Sequence, residues 1–101
     1  MHIQRWNEAD PPVASKLRKR LEDEGYVVTE NSDDPGTVYQ AHMHDQDQTH
    51  WILSGEVEFN TAGETYRLRA GDRDFLPANT EHAAFVCGSE TVRYLTGVKN
   101  S

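Results

Sequence analysis

Within the run His42-Met43-His44-Asp45-Gln46-Asp47-Gln48-Thr49-His50 stand three of the chain's five histidines. Imidazole nitrogens bind divalent transition metals and titrate near neutral pH, so this run offers chelation and proton transfer. On an extended strand, side chains two apart share a face, so His42 and His44 aim at one point in space. After a short turn, a second strand brings Gln48 and, one step deeper, His50 to the same side. His82, in Pro77-Ala78-Asn79-Thr80-Glu81-His82, joins them only if a closed fold carries it back. Asp45 and Asp47 are read as solvated loop residues between the two strands, and His2 as an exposed terminal residue.

Composition bounds what can surround these groups. A chain of 101 residues forms one small domain, near the size at which folding buries only about 60–65% of the chain's surface. Ten basic against seventeen acidic residues give a formal charge of −7, which argues against nucleic acid or an anionic membrane surface as partner. No apolar run approaches the roughly 18–20 residues of a membrane span, and the N-terminus is no signal peptide. A cytoplasmic location is therefore expected. The lone Cys87 forms no internal disulfide, and one cysteine excludes a cysteine-rich zinc finger. No serine or cysteine sits in a nucleophile turn, and no glycine-rich phosphate loop is present.

The elements that must position the histidines follow from periodicity. Asp10 followed by Pro11 and Pro12 predicts a helix start capped by Asp10. The helix runs to about Glu24, with Ala14, Leu17 and Leu21 as a narrow apolar stripe and Gly25 as its stop. From Tyr26 the period changes to two. Strands are expected at 26–30, 37–44, 49–59, 64–70, 75–76, 82–87 and 91–98, with loops at 31–36 and 60–63. Residues 1–25 thus read as an arm and helix packed on a β-barrel of residues 26–101. Many short strands punctuated by glycine and proline indicate an all-β fold, a small antiparallel barrel or jelly roll with one N-terminal α-helix.

Parity within 49–59 adds a constraint. If Gln48 and His50 point inward, so does Ile52, yet Val57 and Phe59 continue the apolar face at odd positions. A bulge or bend at Ser54-Gly55 reconciles the halves. Trp51 and Leu53 then face outward and need a cover, either the helix or a second subunit, so a homodimer is expected through that sheet. Tyr39, Phe75 and Phe85 are candidates for core or pocket lining, and Arg67, Arg69, Arg73 and Arg93 for anion binding or exposure.

From Gly36 to Val86 the chain resembles the cupins, small β-barrels that bind a metal inside the barrel. Their first motif is a glycine, five residues, His-x-His, three or four residues, an acid, six residues and a glycine. Gly36, His42, His44, Gln48 and Gly55 keep every spacing, with Gln48 in place of the acid. The second motif is matched by Gly71, Pro77 and His82, with Asn79 for its inner glycine and Val86 for its asparagine. Asn79 is the substitution most tolerant of a left-handed turn. The run lacks the His-x-His-x-Asp-His of metallo-β-lactamases, since Gln46 and Asp47 stand there.

Carried over residue by residue, the resemblance implies His42, His44 and His82 as metal ligands and Gln48 as the fourth. Gln48 either ligates or hydrogen-bonds a bound water or a ligating histidine. The metal would be iron, manganese, nickel, copper or zinc. With no anionic protein ligand, the ion keeps its double charge and favours an anionic or oxygenated small molecule. His50 is either a general acid–base group or a buried core histidine. Two functions remain open: a metal-dependent dioxygenase, isomerase or lyase, and a non-catalytic cupin that binds or senses a small molecule or the metal. A third, a barrel without metal that takes sugar-like ligands, is disfavoured by the intact histidine set.

Overall fold

The computed structural model describes residues 2–99. Met1, Asn100 and Ser101, the ends of the two expected segments, lie outside the described residues. The helix α1 spans Ala14–Asp23 and does not begin at Asp10. A proline disfavours helical backbone in the residue before it, which removes Asp10 and Pro11 from any helix. Val13 is itself extended (φ −116°, ψ 120°), and no side chain caps α1. The carbonyl of Val13 instead accepts the amides of Lys16 and Leu17 at 3.1 Å. The C-terminal end forms as expected. Gly25 takes φ 97°, and the amides of Gly25 and Tyr26 close onto the carbonyls of Glu22 and Leu21 at 3.0 Å, a Schellman closure.

Nine strands follow the expected succession among the described residues: β1 His2–Gln4, β2 Val27–Asp33, β3 Val38–His42, β4 Asp47–Ser54, β5 Val57–Thr61, β6 Glu64–Leu68, β7 Arg73–Phe75, β8 His82–Phe85 and β9 Val92–Lys99. They form two antiparallel sheets, ordered β1-β7-β4-β9-β2 and β3-β8-β5-β6. Ile52, Val57, Phe59, Leu68, Ala84, Val86 and Val92 fill the space between them. This is the expected all-β jelly roll with one helix.

Several strands depart from expectation, β3 among them: it ends at His42, so His44 stands beyond the strand that was expected to carry both histidines on one face. Strand β2 runs through Asn31-Ser32-Asp33, read from sequence as loop, because it stays in register with β9: Asn31 opposes Tyr94 and Asp33 opposes Val92. The ladder overrides the poor strand propensity of these residues. The long strand 49–59 is divided into β4 and β5. Its register against β9 shifts between Ile52 and Ser54, and Gly55 follows at φ 82°. That break turns even-numbered inward residues into odd-numbered ones, as the apolar pattern required.

The helix covers the outward face of β4. Leu17 and Leu21, 1% and 0% exposed, pack with Val28, Trp51 and Leu95, and Leu53 lies against them. Of the two covers expected for Trp51 and Leu53, the helix is the one that lies on them. Beneath it, the buried Arg73 guanidinium lies 4.8 Å from the Trp51 ring and 4.2 Å from that of Phe75. It also pairs with Glu24 at 2.7 Å, which ties the end of α1 to β7. Among the described residues, no helix is long and apolar enough to cross a membrane.

Candidate functional site

The two motif segments are clasped backbone to backbone. In β3 and β8, His42 opposes His82 directly. The loops beyond them are tied by Asn79 N–H to His44 C=O at 2.7 Å and by a paired bridge between Gln48 and Leu76 at 2.8 and 2.9 Å. Asp47, expected to be merely solvated, accepts the Ala78 amide at 2.8 Å and holds the turn that delivers His82. Asn79 sits there at φ 64°, in the left-handed region its substitution allows.

This clasp converges three imidazoles. His42, His44 and His82 offer ligand nitrogens within 4.8 Å of one another. The Nδ1 atoms of His42 and His82 are engaged by the carbonyls of Gln40 (2.6 Å) and Thr80 (3.0 Å), which leaves Nε2 as the nitrogen each ring presents. Burial, and then repulsion from His42, hold the pKa of His44 below the ordinary value. Burial likewise lowers that of His82. Neutral imidazoles with open lone pairs are the form that ligates. About 2.0–2.1 Å from a common ion, two nitrogens stand at most about 4.2 Å apart, so small ring rotations complete the set. The donor set fits a divalent transition ion.

These histidines line one end of a cavity of about 270 Å³ between the sheets, which Gln48, His50, Ile52 and Phe59 line with them. At about 30 Å³ per water this holds about nine waters, the scale of a small metabolite. Gln48 and His50 face it together, as their strand parity requires. His50 stacks on Phe59 at 5.3 Å. Asp74, fully buried, accepts the His50 ring at Nδ1 (3.0 Å) and the His50 amide (2.7 Å). Burial works against a charged His50, but the Asp74 carboxylate outweighs it through charge and hydrogen bond and raises the His50 pKa. With Nδ1 taken by Asp74, Nε2 is the atom His50 offers.

Other expected residues fall outside. No arginine lines the cavity: Arg67, Arg69, Arg73 and Arg93 pair with Glu58, Glu56, Glu24 and Glu30. Each finds its anion within the fold. Phe85 is exposed, and Phe75 lies under Arg73 and beside His2. Tyr39 does line the cavity. Sequence reasoning missed Asp74, whose spacing from His50 carries no motif, and the cavity residues Asn31, Asp33 and Tyr94. The first two share a strand face, but their composition reads as loop.

Comparison with known protein families matches residues 32–98 to the cupin domain. The chain is a cupin. Among solved structures, this cupin is similar to an uncharacterised conserved protein with a double-stranded β-helix domain from Klebsiella pneumoniae. The two share 28% identity over 72% of this chain and 65% of that one, with a TM-score of 0.65. It is similar also to the DMSP lyase DddQ from Ruegeria pomeroyi (26% identity, 75% of this chain, 39% of that one, TM-score 0.67). The polyketide cyclase RemF from Streptomyces resistomycificus shares the fold at 22% identity, over 76% of this chain and 58% of that one, with a TM-score of 0.66. The cupin thus spans less than two thirds of the length of each of these chains. No curated protein matches it.

Proposed function

We propose that this cupin holds a divalent first-row transition metal at His42, His44 and His82, with Gln48 as fourth ligand, and acts on a small anionic or oxygenated metabolite. When bound, such an ion supplies Lewis-acid polarisation of substrate oxygens. The observation that carries an enzymatic reading over a binding module is the pairing of His50 with buried Asp74 in the same cavity. A binding module needs no oriented proton-transfer group beside its ligands. Asp74 fixes the tautomer of His50, so Nε2 takes a proton from a substrate carbon or oxygen and returns it. Ile52 and Phe59 give that exchange an apolar wall. A proton-handling pair favours lyase or isomerase chemistry over dioxygenase chemistry, and the likeness to a DMSP lyase supports testing elimination first.

Elemental analysis of the untagged cupin and of His42→Ala tests the metal. One transition ion per chain, lost in the variant, is expected. The chemistry is tested by following loss of α-protons from small carboxylic and hydroxy acids in deuterated water by NMR, with His50→Gln as control. Exchange that needs both metal and His50 supports the reading; wild type that neither contains nor accepts metal sinks it.

A further inference from the structure

Beyond His42, His44 and His82, the cavity carries a second polar group in which each hydroxyl and amide hydrogen already has an acceptor, and its Tyr94 ring lies 6.0 Å from that of His50. Tyr39 and Tyr94 donate their hydroxyls to the two carboxylate oxygens of Asp33, at 2.8 and 2.6 Å. Asn31 donates its amide hydrogens to Thr29 and Thr96, at 3.1 and 3.0 Å. All four residues line the same cavity as the histidines. What remains to offer a ligand is acceptors only: the Asp33 carboxylate's further lone pairs, two phenolic oxygens and the Asn31 amide oxygen. An acceptor-only cluster around one negative charge matches a group that is all donor and positively charged. A primary ammonium, with three hydrogens and no acceptor, is that group.

We infer that Asp33, with Tyr39, Tyr94 and Asn31, is a specificity site that takes the ammonium end of a small zwitterionic amino acid whose carboxylate lies toward His42, His44 and His82. The inference rests on the metal reading above for the carboxylate end alone. The two ends follow from the strands. Tyr39 opposes Ala84 and His42 opposes His82, two residues apart on β8, because β3 bulges between them, so the two ends lie about 7 Å apart along the sheet. The ammonium and carboxylate of the ligand are therefore separated by a short chain rather than carried on one carbon. Asp33 is placed to select against plain carboxylic acids, which bring no donor to this cluster.

Calorimetric titration of Zn(II)-loaded cupin with β-alanine, γ-aminobutyrate and ε-aminocaproate, each against propionate, butyrate or caproate, tests this. At least one amino acid is expected to bind about tenfold or more tightly than its alkanoate, the worth of a charge-assisted hydrogen bond. Asp33→Asn, which keeps the shape, should remove that advantage and leave alkanoate affinity unchanged. If Asp33→Asn does not fold, Tyr39→Phe at the exposed rim serves, and should narrow the preference by removing one acceptor. Equal affinity for both series, no binding of either, or a preference that survives Asp33→Asn overturns the inference while the metal site stands. Should the cupin take no Zn(II), the metal reading fails separately. The ammonium site is then read with n-butylammonium on metal-free protein: it must bind wild type and weaken about tenfold in Asp33→Asn, and absence of either effect overturns it.

Discussion

At the scale of single residues, the site is governed by which protons are already spoken for. Gln40 and Thr80 carbonyls engage Nδ1 of His42 and His82 and leave their Nε2 atoms to the cavity, and Asp74 does the same for His50. Gln48 is the position where charge can be altered with little change of shape. Gln48→Glu adds an anion beside the three imidazoles, so it should retain metal and bind it more tightly, while weakening any anionic ligand; competition with a fluorescent chelator reads the first effect. His82→Ala should lose more than about 100-fold in the same titration, beyond the cost of losing an outer-shell partner. A Gln48→Glu variant that bound metal more weakly than wild type would remove Gln48 from the ligand set.

At the scale of elements, two joints hold the site in place. The first is the β4–β5 break, where a Cβ on Gly55 would stand 2.8 Å from both the Thr91 carbonyl oxygen and the Val92 Cα. Backbone cannot retreat as a flexible side chain does, and φ 82° is itself strained for alanine. Gly55→Ala should therefore cost about 1–3 kcal/mol in chemical denaturation, and an unchanged midpoint would show that β9 gives way freely. The second joint is α1 on the outside of β4. Leu21→Ala removes a side chain 0% exposed and should cost about 2–5 kcal/mol. Its residual fold should still bind metal, because the cluster around Leu21 lies on the sheet face away from the cavity. The break was legible in the shift of apolar parity, and the helix stop in Gly25. The helix start was not, because Asp10-Pro11-Pro12 satisfies the residue preferences of a cap while its prolines keep the chain extended.

At the scale of the whole molecule, ligand convergence and pH response depend on the closed fold. Only the folded barrel brings His82 to His42 and His44, so metal at 100 times its Kd should add about 2.7 kcal/mol of stability, or more than about 10 °C in Tm for a domain of this size. Chelation followed by a melting curve checks it. Glu24 responds to pH: its hydrogen bond to Arg73 holds its carboxyl below the ordinary value of 4.5. A depressed carboxylate stabilises the fold above 4.5, and that contribution is lost as pH falls further through the folded value. Glu24→Gln should thus be less stable than wild type at neutral pH, with the difference closing on acidification in urea titrations, and modest because Glu24 is half exposed. From sequence alone came the barrel class, the His42-x-His44 pair, the inward parity of Gln48 and His50, and the bend at Gly55, since these depend on spacing along one chain, while His82 was reached only through the resemblance to cupins. Only the tertiary structure decided that Asp74 holds His50, that α1 covers Trp51, that the arginines are consumed by glutamates, and that Asn31 and Asp33 join the cavity. Each depends on partners far apart in the chain, and local composition encodes no distance between them.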